Sequence, residues 1–277
     1  MAKTNKLNHD GLPQFKNVSI IEKLKIYAYI IKLLAKKQRR DYSVIDQEYN
    51  SGIWNKKFEE INFESLHGNY ARNDVDEYII MSYNDKLIKC VRRTVENKYY
   101  DQILKVLQEF KEDSVVELGC GLGANLFMLH NAGFKKLEGY DLSQNAINHL
   151  RQYSKIKEYN MHFGVCDLNN LFPSNMIKDK IVFTHTCLEQ CKNIMPNVLR
   201  NIINAKPKLV INFEVDYDKS SYMVKKYFDV HDYQNNFVRE LVKLKKQEKI
   251  SIISIKKLSL SLSPVNRLST IIWKLNY

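Results

Sequence analysis

The chain has 277 residues, enough for one large domain or for one domain with an appended segment. Its hydrophobic fraction of 44%, with only 9 glycines and 5 prolines, predicts a packed globule and argues against low-complexity linkers. No apolar run approaches the roughly 18 residues of a membrane-spanning helix. The five scattered cysteines, with no apolar signal segment at the start, predict reduced thiols and a cytoplasmic location.

The net charge of +12 is the unusual feature of the composition. Positive charge of this size attracts anions such as nucleic acid, acidic lipid or phosphorylated glycans. The basic residues are spread along the whole chain, so a solvated basic surface accounts for them as well.

The first hundred residues are predicted to be mainly helical. Residues 17–40, "NVSIIEKLKIYAYIIKLLAKKQRR", carry an apolar stripe at helical spacing, with Ser19 as a candidate N-cap. Residues 74–110 contain two further helical stretches by the same criterion. We therefore predict a helical N-terminal extension over residues 1–100, which forms a lid, and a second domain over residues 101–277.

Short apolar stretches alternate with amphipathic ones from residue 113 onward. The alternation predicts strands at 114–119, 136–142, 160–168, 179–186 and 207–215, and helices at 123–132, 143–155, 193–205 and 219–247. Two strands at 249–260 and 268–277 close the chain, and their short connection requires antiparallel pairing. The predicted fold class is α/β, a doubly wound and mostly parallel seven-stranded sheet with a C-terminal antiparallel hairpin.

The stretch "SVVELGCGLGANL" places three glycines directly after the first strand of this sheet. Gly119, Gly121 and Gly123 allow a tight turn into a helix, whose N-terminus then lies at the carboxyl edge of the sheet. Such loops hold many nucleotides, including the nicotinamide cofactors of dehydrogenases. Glu117, two residues before the first glycine, would repel a pyrophosphate and favours a ligand with a cationic amino acid end.

Two further acids end the next two strands. Asp141 ends the second strand, where a carboxylate can accept hydrogen bonds from both hydroxyls of a ribose. Asp167 follows the third strand, where an acid can meet the exocyclic amine of adenine. An amino acid, a ribose and an adenine, recognised in that order along the chain, indicate S-adenosylmethionine.

With "VVELGCGLGANL", "LEGYDLS" and "GVCDLNNL", the sequence resembles the class I (Rossmann-like) S-adenosylmethionine-dependent methyltransferases from about residue 100 to residue 277. The resemblance implies an enzyme with S-adenosylmethionine as its cofactor. It also implies cofactor contacts from Glu117, Gly119, Cys120, Gly121, Gly123, Asp141, Leu142, Asp167, Leu168 and His185. A nicotinamide dehydrogenase and a non-catalytic binding protein with the methyltransferase fold remain alternatives.

Candidate catalytic residues follow the fourth and fifth strands. Methyl transfer requires alignment of the acceptor, and a base only where the acceptor loses a proton. His185 is the first candidate, as the proton acceptor or as a group that positions the acceptor, and Glu214 and Glu189 are the others. His185 can also be a pocket wall, and Glu189 a helix cap. Cys187 and Cys191 lie close to His185 in sequence, but a fourth ligand is not evident, so no metal site is predicted.

The acceptor is defined mainly by missing motifs. No "DPPY" or "NPPF" follows the fourth strand, and a Pro-Cys pair for attack on cytosine is missing, which leaves a small molecule or a glycan precursor. The charge favours an anionic acceptor such as a phosphorylated or nucleotide-linked sugar, and RNA is the alternative that charge alone supports. Tyr49, Trp54 and Tyr70 are candidate acceptor contacts, or else core aromatics.

The C-terminal "SLSPVNRLSTIIWKLNY" more weakly resembles bacterial surface-polysaccharide and small-molecule methyltransferases. This resemblance implies a role in capsule or other polysaccharide biosynthesis.

Overall fold

The computed structural model describes residues 15–34, 77–173 and 175–276, and its N-terminal part combines helices with a hairpin. The elements are β1 Lys16–Asn17, α1 Ile20–Leu34, β2 Tyr78–Tyr83, β3 Lys86–Val91 and α2 Arg92–Leu107. Ser19 caps α1 as predicted, because its hydroxyl oxygen accepts a hydrogen bond from the N–H of Glu22 at 3.2 Å. The Glu22 carboxylate accepts the N–H of Ser19 at 2.9 Å, which completes a capping box.

The prediction of a helix in the first part of residues 74–110 is wrong, because β2 and β3 form an antiparallel hairpin there. Asn84 and Asp85 have φ angles of 44° and 67°, and two successive positive values are the geometry of a type I′ turn. Met81, Ile88 and Cys90 are buried on one face of the hairpin. The sequence therefore follows the two-residue period of a strand, and the turn residues were the signal that the helical interpretation overlooked.

A seven-stranded sheet forms the centre of the fold. The strands are β4 Ser114–Leu118, β5 Lys136–Asp141, β6 Met161–Val165, β7 Ile181–His185, β8 Leu209–Val215, β9 Ile250–Lys257 and β11 Leu268–Leu275. Their order is β6-β5-β4-β7-β8-β11-β9, and the pairs from β6 to β8 are parallel. β11 pairs antiparallel with β8 and β9, which confirms the predicted fold class and its C-terminal hairpin.

Helices cover both faces of this sheet. They are α3 Ala124–Asn131, α4 Gln144–Ile156, α5 Met195–Asn204, α6 Tyr222–Val230 and α7 Phe237–Lys246. The apolar side chains of α2, α3 and α4 share one core with the sheet, and those of α5 and α7 share the other. The helix predicted over 219–247 is two helices, because Asp232 takes a positive φ of 54° and the chain turns there.

A second, antiparallel sheet lies beside the first. Its strand order is β1-β3-β2-β10, where β10 is Leu260–Ser261. One face, with Met81 and Leu260, packs on the core. α1 is attached on the other side of the sheet by an ion pair of 2.6 Å between Glu22 and Lys89. Within the described ranges, no helix combines the length and apolar character needed to cross a membrane.

Candidate active site

The glycine loop joins β4 to α3 at the carboxyl edge of the large sheet. Gly119, Gly121 and Gly123 have φ angles of 75°, 52° and 75°. Residues other than glycine rarely adopt these positive angles. The N–H groups of Gly119 and Cys120 both donate to the carbonyl oxygen of Tyr140, at 2.7 and 3.0 Å. The loop is thus fixed to the end of the neighbouring strand β5.

The loop is also in close contact with the turn after β7. A Cβ atom on Gly119 would lie 2.1 Å from the Sγ atom of Cys187, far inside van der Waals contact.

We expect Gly119→Ala to lower the free energy of unfolding by about 3 kcal/mol, because the new methyl group overlaps Cys187 and the left-handed backbone strains any residue other than glycine. In a Cys187→Gly background the same substitution should cost only about 1.5 kcal/mol, the strain alone. Urea denaturation of the four proteins measures both values, and equal costs in both backgrounds would contradict the contact.

Glu117 lies beneath the loop with a carboxylate that is only partly hydrogen-bonded. The residue is 1% exposed, and its Oε1 accepts from Nδ2 of Asn125 at 2.6 Å. Its Oε2 and the Oδ1 of Asn125 are buried and have no hydrogen-bond partner among the described residues. Burial raises the pKa of Glu117 well above its usual range, against the opposing effect of Asn125. The N–H donors of a cationic ligand group can satisfy both of these buried acceptors.

Asn125 continues a chain of hydrogen bonds to His185 and Tyr99. Its Nδ2 lies 3.0 Å from Nδ1 of His185, and Nε2 of His185 lies 2.6 Å from the Tyr99 hydroxyl. An amide nitrogen only donates, so with the amide in this orientation Nδ1 accepts and the ring proton lies on Nε2. Burial lowers the pKa of His185 to about 4, so the ring is neutral near pH 7. Both of its nitrogens are engaged, which favours a positioning role.

Asp141 supports the glycine loop in addition to ending β5. Its Oδ2 accepts from the N–H of Gly121 and its Oδ1 from the N–H of Ser143, both at 2.8 Å. Burial raises the pKa of Asp141, and these two hydrogen bonds oppose that rise. Each oxygen keeps a second lone pair for a ligand hydroxyl. Leu142 follows half-buried.

The loop after β6 places Asp167 and Leu168. Asp167 Oδ1 accepts from the N–H of Asn169 at 2.8 Å, a hydrogen bond that shapes the loop. Leu168 is buried, and its carbonyl oxygen accepts from Nδ2 of Asn201 at 3.0 Å. Asn201 lies on α5, so this loop is tied to the helix beyond β7.

Glu214, on β8, is the most firmly held carboxylate at this edge. It is 3% exposed, and its Oε1 accepts from the Thr184 hydroxyl at 2.9 Å and from the N–H groups of Cys187 and Leu188 at 3.0 Å. Burial raises the pKa of Glu214 to about 7, despite these hydrogen bonds. A carboxylate with a pKa near neutrality suits proton transfer.

The other candidates have simpler surroundings. Glu189 lies in a short turn, where its Oε2 is 3.4 Å from Nδ2 of Asn266, and it does not cap α5, whose N-cap is Ile194. Burial raises the pKa of Cys120 and Cys187 well above the usual range, so neither thiol is a ready nucleophile. No group of three potential metal ligands occurs among the residues that the structure describes.

The structure thus brings the predicted Glu117, His185 and Glu214 to one edge, and it adds two residues that the sequence analysis missed. Asn125 stands in the first turn of α3, a polar residue in the apolar run "ANLFML", and this was a readable signal. Tyr99 comes from α2, 86 positions before its partner His185, so only the tertiary fold reveals it. The predicted acceptor contacts Tyr49, Trp54 and Tyr70 lie outside the described residues.

Comparison with known proteins gives a match over part of the chain. Residues 115–205 match a family model described as a methyltransferase domain, and this range contains Glu117, Asp141, Asp167 and His185. Comparison with curated protein sequences gave no match.

Solved structures with a similar fold include magnesium protoporphyrin IX methyltransferase from Synechocystis PCC 6803 with bound S-adenosylhomocysteine. The TM-score is 0.58 at 15% identity, over 85% of this chain and 100% of that one. The same enzyme with S-adenosylmethionine gives 0.52 at 16% identity, over 84% and 98%. A geranyl diphosphate methyltransferase with S-adenosylmethionine gives 0.51 at 12% identity, over 66% and 88%. Likeness at these identities shows a shared fold.

Proposed function

We propose that the chain is a class I S-adenosylmethionine-dependent methyltransferase and that it methylates a small-molecule or glycan-precursor acceptor. The match of residues 115–205 to a methyltransferase domain supports this proposal. The observation that carries the cofactor assignment is the pair of unpartnered buried acceptors, Glu117 Oε2 and Asn125 Oδ1. Their position beneath the glycine loop suits a cationic ammonium group, and a pyrophosphate would be repelled there.

The residues present fit S-adenosylmethionine along its whole length. Glu117 and Asn125 would hold the ammonium group, and the loop from Gly119 to Gly123 would pack beneath the methionine portion. Asp141 would accept the ribose hydroxyls, and Asp167 the adenine amine. When bound, the cofactor supplies an electrophilic methyl group on its sulfonium, so the chain itself has to orient the acceptor and manage its proton.

We assign the orienting role to Tyr99 and His185. His185 donates its Nε2 proton to the Tyr99 oxygen, so the phenolic hydrogen is left to donate to an acceptor oxygen or nitrogen. Burial raises the pKa of Tyr99 well above its usual range, and the charges of Tyr100, Glu214 and Glu189 add to this rise. Tyr99 therefore stays protonated and acts as a donor, not as a base.

Glu214 is the best candidate for the general base. Its carboxylate is close enough to Tyr99 to influence the pKa of that phenol, and its own pKa of about 7 allows it to take a proton near neutrality. The prediction that His185 accepts the proton is less favoured. Its low pKa makes it a weak base, and the lone pair on Nδ1 already accepts a hydrogen bond from Asn125.

A methyl-transfer assay tests the proposed acceptor class. The full chain is incubated with S-adenosylmethionine labelled in its methyl group and with a cell extract that is divided into RNA and a small-molecule fraction. We expect label in the small-molecule fraction, and excess S-adenosylhomocysteine as the control should abolish it. Label in RNA alone would contradict the proposal. That the acceptor is a phosphorylated or nucleotide-linked sugar of a capsule pathway stays a prediction. Identification of the labelled compound in the active fraction would test it.

A further inference from the structure

Three buried polar side chains lead through the core of the large sheet to Glu214. Trp273 of β11, Asn212 of β8 and Thr184 of β7 are each at most 1% exposed, and we call them the buried network. Nε1 of Trp273 lies 2.8 Å from Oδ1 of Asn212, and Nδ2 of Asn212 lies 3.0 Å from Oγ1 of Thr184. The Thr184 hydroxyl lies 2.9 Å from Oε1 of Glu214, so the buried network ends at this carboxylate.

The register of the sheet brings these side chains together. Thr184 is paired directly with Asn212, and Asn212 and Glu214 are two residues apart on β8, so the three side chains share one face. Asn212 is also paired with Ile271, which stands two residues before Trp273 on β11. The surrounding core on this face is apolar. Polar groups in such surroundings cost free energy unless they are hydrogen-bonded, and the buried network meets this requirement internally.

The direction of each hydrogen bond follows from the indole of Trp273. An indole N–H can only donate, so Oδ1 of Asn212 is the acceptor and Nδ2 faces Thr184. An amide nitrogen only donates as well, so Oγ1 of Thr184 accepts. The hydroxyl hydrogen of Thr184 is then left to donate to Oε1 of Glu214. A side chain on β11 thus fixes the orientation of a donor at the active site.

The two oxygens of the Glu214 carboxylate are not equivalent as a result. Oε1 accepts from the Thr184 hydroxyl and from the N–H groups of Cys187 and Leu188. A proton on Oε1 would displace one of these three donors, so a proton binds to Oε2 instead. The three donors also favour the charged form, against the burial that raises the pKa of Glu214 to about 7.

The titratable groups that feel the charge of Glu214 are neutral near pH 7. They are Tyr99 on α2 and Cys187 and Cys191 in the turn after β7. Burial raises the pKa of Tyr99 and Cys187 well above the usual range, and it raises the pKa of Cys191 to about 12. A titration of Glu214 near neutral pH therefore does not overlap with theirs.

We propose that Asn212 and Trp273 are positioning residues for methyl transfer, because they hold the Thr184 hydroxyl as a donor to Oε1 of Glu214 and leave Oε2 to take the proton of the acceptor. The inference rests on the proposed function and deepens its assignment of Glu214 as the base. In the reaction, a lone pair of the acceptor forms the bond to the methyl carbon, and the electrons of the broken carbon–sulfur bond stay on sulfur. The acceptor proton passes to Oε2, so the charges of the sulfonium and of Glu214 are both lost.

Loss of the indole N–H would let the amide of Asn212 turn over. Oδ1 could then accept the hydroxyl hydrogen of Thr184, which would take one of the three donors away from Oε1. The loss of a donor to the charged form raises the pKa of Glu214. The effect of Trp273 on Glu214 therefore passes through Thr184, which distinguishes the buried network from a purely structural contact.

Infrared difference spectra of the full chain, recorded over a pH titration, test this proposal without an acceptor. The C=O stretch of the protonated Glu214 carboxyl is the band that Glu214→Gln lacks. Trp273→Phe removes the indole N–H and keeps an aromatic ring. We expect this variant to move the titration midpoint of the band upwards by about one pH unit, the usual effect of losing a hydrogen bond to a charged group.

A double variant separates the buried network from packing. In a Thr184→Val background, Trp273→Phe should leave the midpoint where Thr184→Val alone puts it. Asn212→Leu is the second variant, for the case in which Trp273→Phe does not fold. It keeps the branched shape of the side chain and should also raise the midpoint, since no amide then holds the Thr184 hydroxyl towards Glu214.

Thr270→Val is the matched control. Thr270 is also buried, and its Oγ1 has no hydrogen-bond partner among the described residues. It stands three residues before Trp273 on the same strand, so its side chain lies on the opposite face of the sheet. This variant loses a polar hydrogen outside the buried network and should leave the midpoint of Glu214 unchanged.

The possible outcomes distinguish this inference from the proposed function. A midpoint that neither Trp273→Phe nor Asn212→Leu moves would overturn the inference, as would shifts that simply add in the double variant. The kcat profile, measured with the acceptor found in the fractionation assay, should follow the infrared midpoint in each variant. An infrared midpoint that moves while the kcat profile stays would contradict Glu214 as the base and with it the positioning role. Absence of methyl transfer to any fraction would contradict the proposed function itself, on which the infrared midpoints do not depend.

Discussion

Replacing Glu117 by Gln should weaken S-adenosylhomocysteine binding about 100-fold, or about 3 kcal/mol, because a buried charged acceptor is removed from a cation. Glu117 is 1% exposed, and its Oε1 is already bound to Asn125, so Oε2 is the atom left for the ligand. A Gln side chain has the same shape but carries no charge, and its amide N–H would face the ammonium group. Calorimetric titration of both proteins measures the difference.

The pH dependence of binding gives a second readout of the same residue. Burial raises the pKa of Glu117 well above its usual range, whereas a cationic ligand requires the carboxylate form. Binding therefore releases a proton, and wild-type affinity should fall as the pH falls. Glu117→Gln should lose this pH dependence, and its thermal stability should not fall, since an amide of the same shape avoids the cost of burying a charged carboxylate.

Asp113→Asn is the matched control for Glu117→Gln. Asp113 directly precedes β4, at the opposite end of that strand from the glycine loop, and is paired with Lys208 at 2.6 Å. We expect this variant to bind S-adenosylhomocysteine like the wild type. Unchanged affinity in Glu117→Gln itself would remove the basis for the ammonium site.

Replacing Glu214 by Gln should lower kcat by about 10² to 10⁴, the usual contribution of a general base. Only the carboxylate form accepts a proton, and burial raises the pKa of Glu214 to about 7. Wild-type kcat should therefore rise with pH through a midpoint near 7, and the variant should lack this rise. Rates measured from pH 5.5 to 8.5, with the acceptor found in the fractionation assay, provide the comparison. A variant with wild-type kcat would show that no base acts here.

The same pKa makes an opposite prediction for stability. Glu214 has a pKa of about 7 in the folded state against 4.5 ordinarily, so between these values the folded state binds more protons than the unfolded state. The free energy of unfolding should therefore fall as the pH rises through this interval. Glu214→Gln should not show this fall in the free energy of unfolding, so the variant should be at least as stable as the wild type at pH 8. Urea denaturation at pH 5 and pH 8 checks the sign.

Thr184→Val provides a graded control for the assignment of Glu214. The Thr184 hydroxyl donates to Oε1 of Glu214 at 2.9 Å and so favours its charged form. Its removal should raise the pKa of Glu214 and move the midpoint of the kcat profile to higher pH. A midpoint that stays in place would mean that a different group controls the profile.

The large sheet was predictable because each of its strands is an apolar run that ends at a glycine, an acid or a turn. The strand predicted at 114–119 is Ser114–Leu118, and the one at 207–215 is Leu209–Val215. Within the hairpin, the helical interpretation failed because the apolar residues at 79–81, 87, 88, 90 and 91 fit both periods, and only the Asn84-Asp85 turn distinguishes them.

The site was predictable only where a residue lies at the carboxyl end of a strand. Glu117, Asp141 and Glu214 follow this rule, because parallel strands bring their carboxyl ends to one edge. The partners of these residues do not follow it. Tyr99 and Asn266 reach the edge from α2 and from the β10–β11 connection, through contacts between residues that are distant in sequence. Nor does the sequence indicate that three donors share one oxygen of Glu214, which ties this residue of β8 to the end of β7 and the turn after it.

Titration of the full chain with S-adenosylhomocysteine, with NAD as the control ligand, tests the central assignment most directly. The unpartnered acceptors of Glu117 and Asn125 predict micromolar binding of S-adenosylhomocysteine and no binding of NAD, whose pyrophosphate would meet the carboxylate. Binding of NAD, or of neither ligand, would contradict the assignment of this edge as an S-adenosylmethionine site.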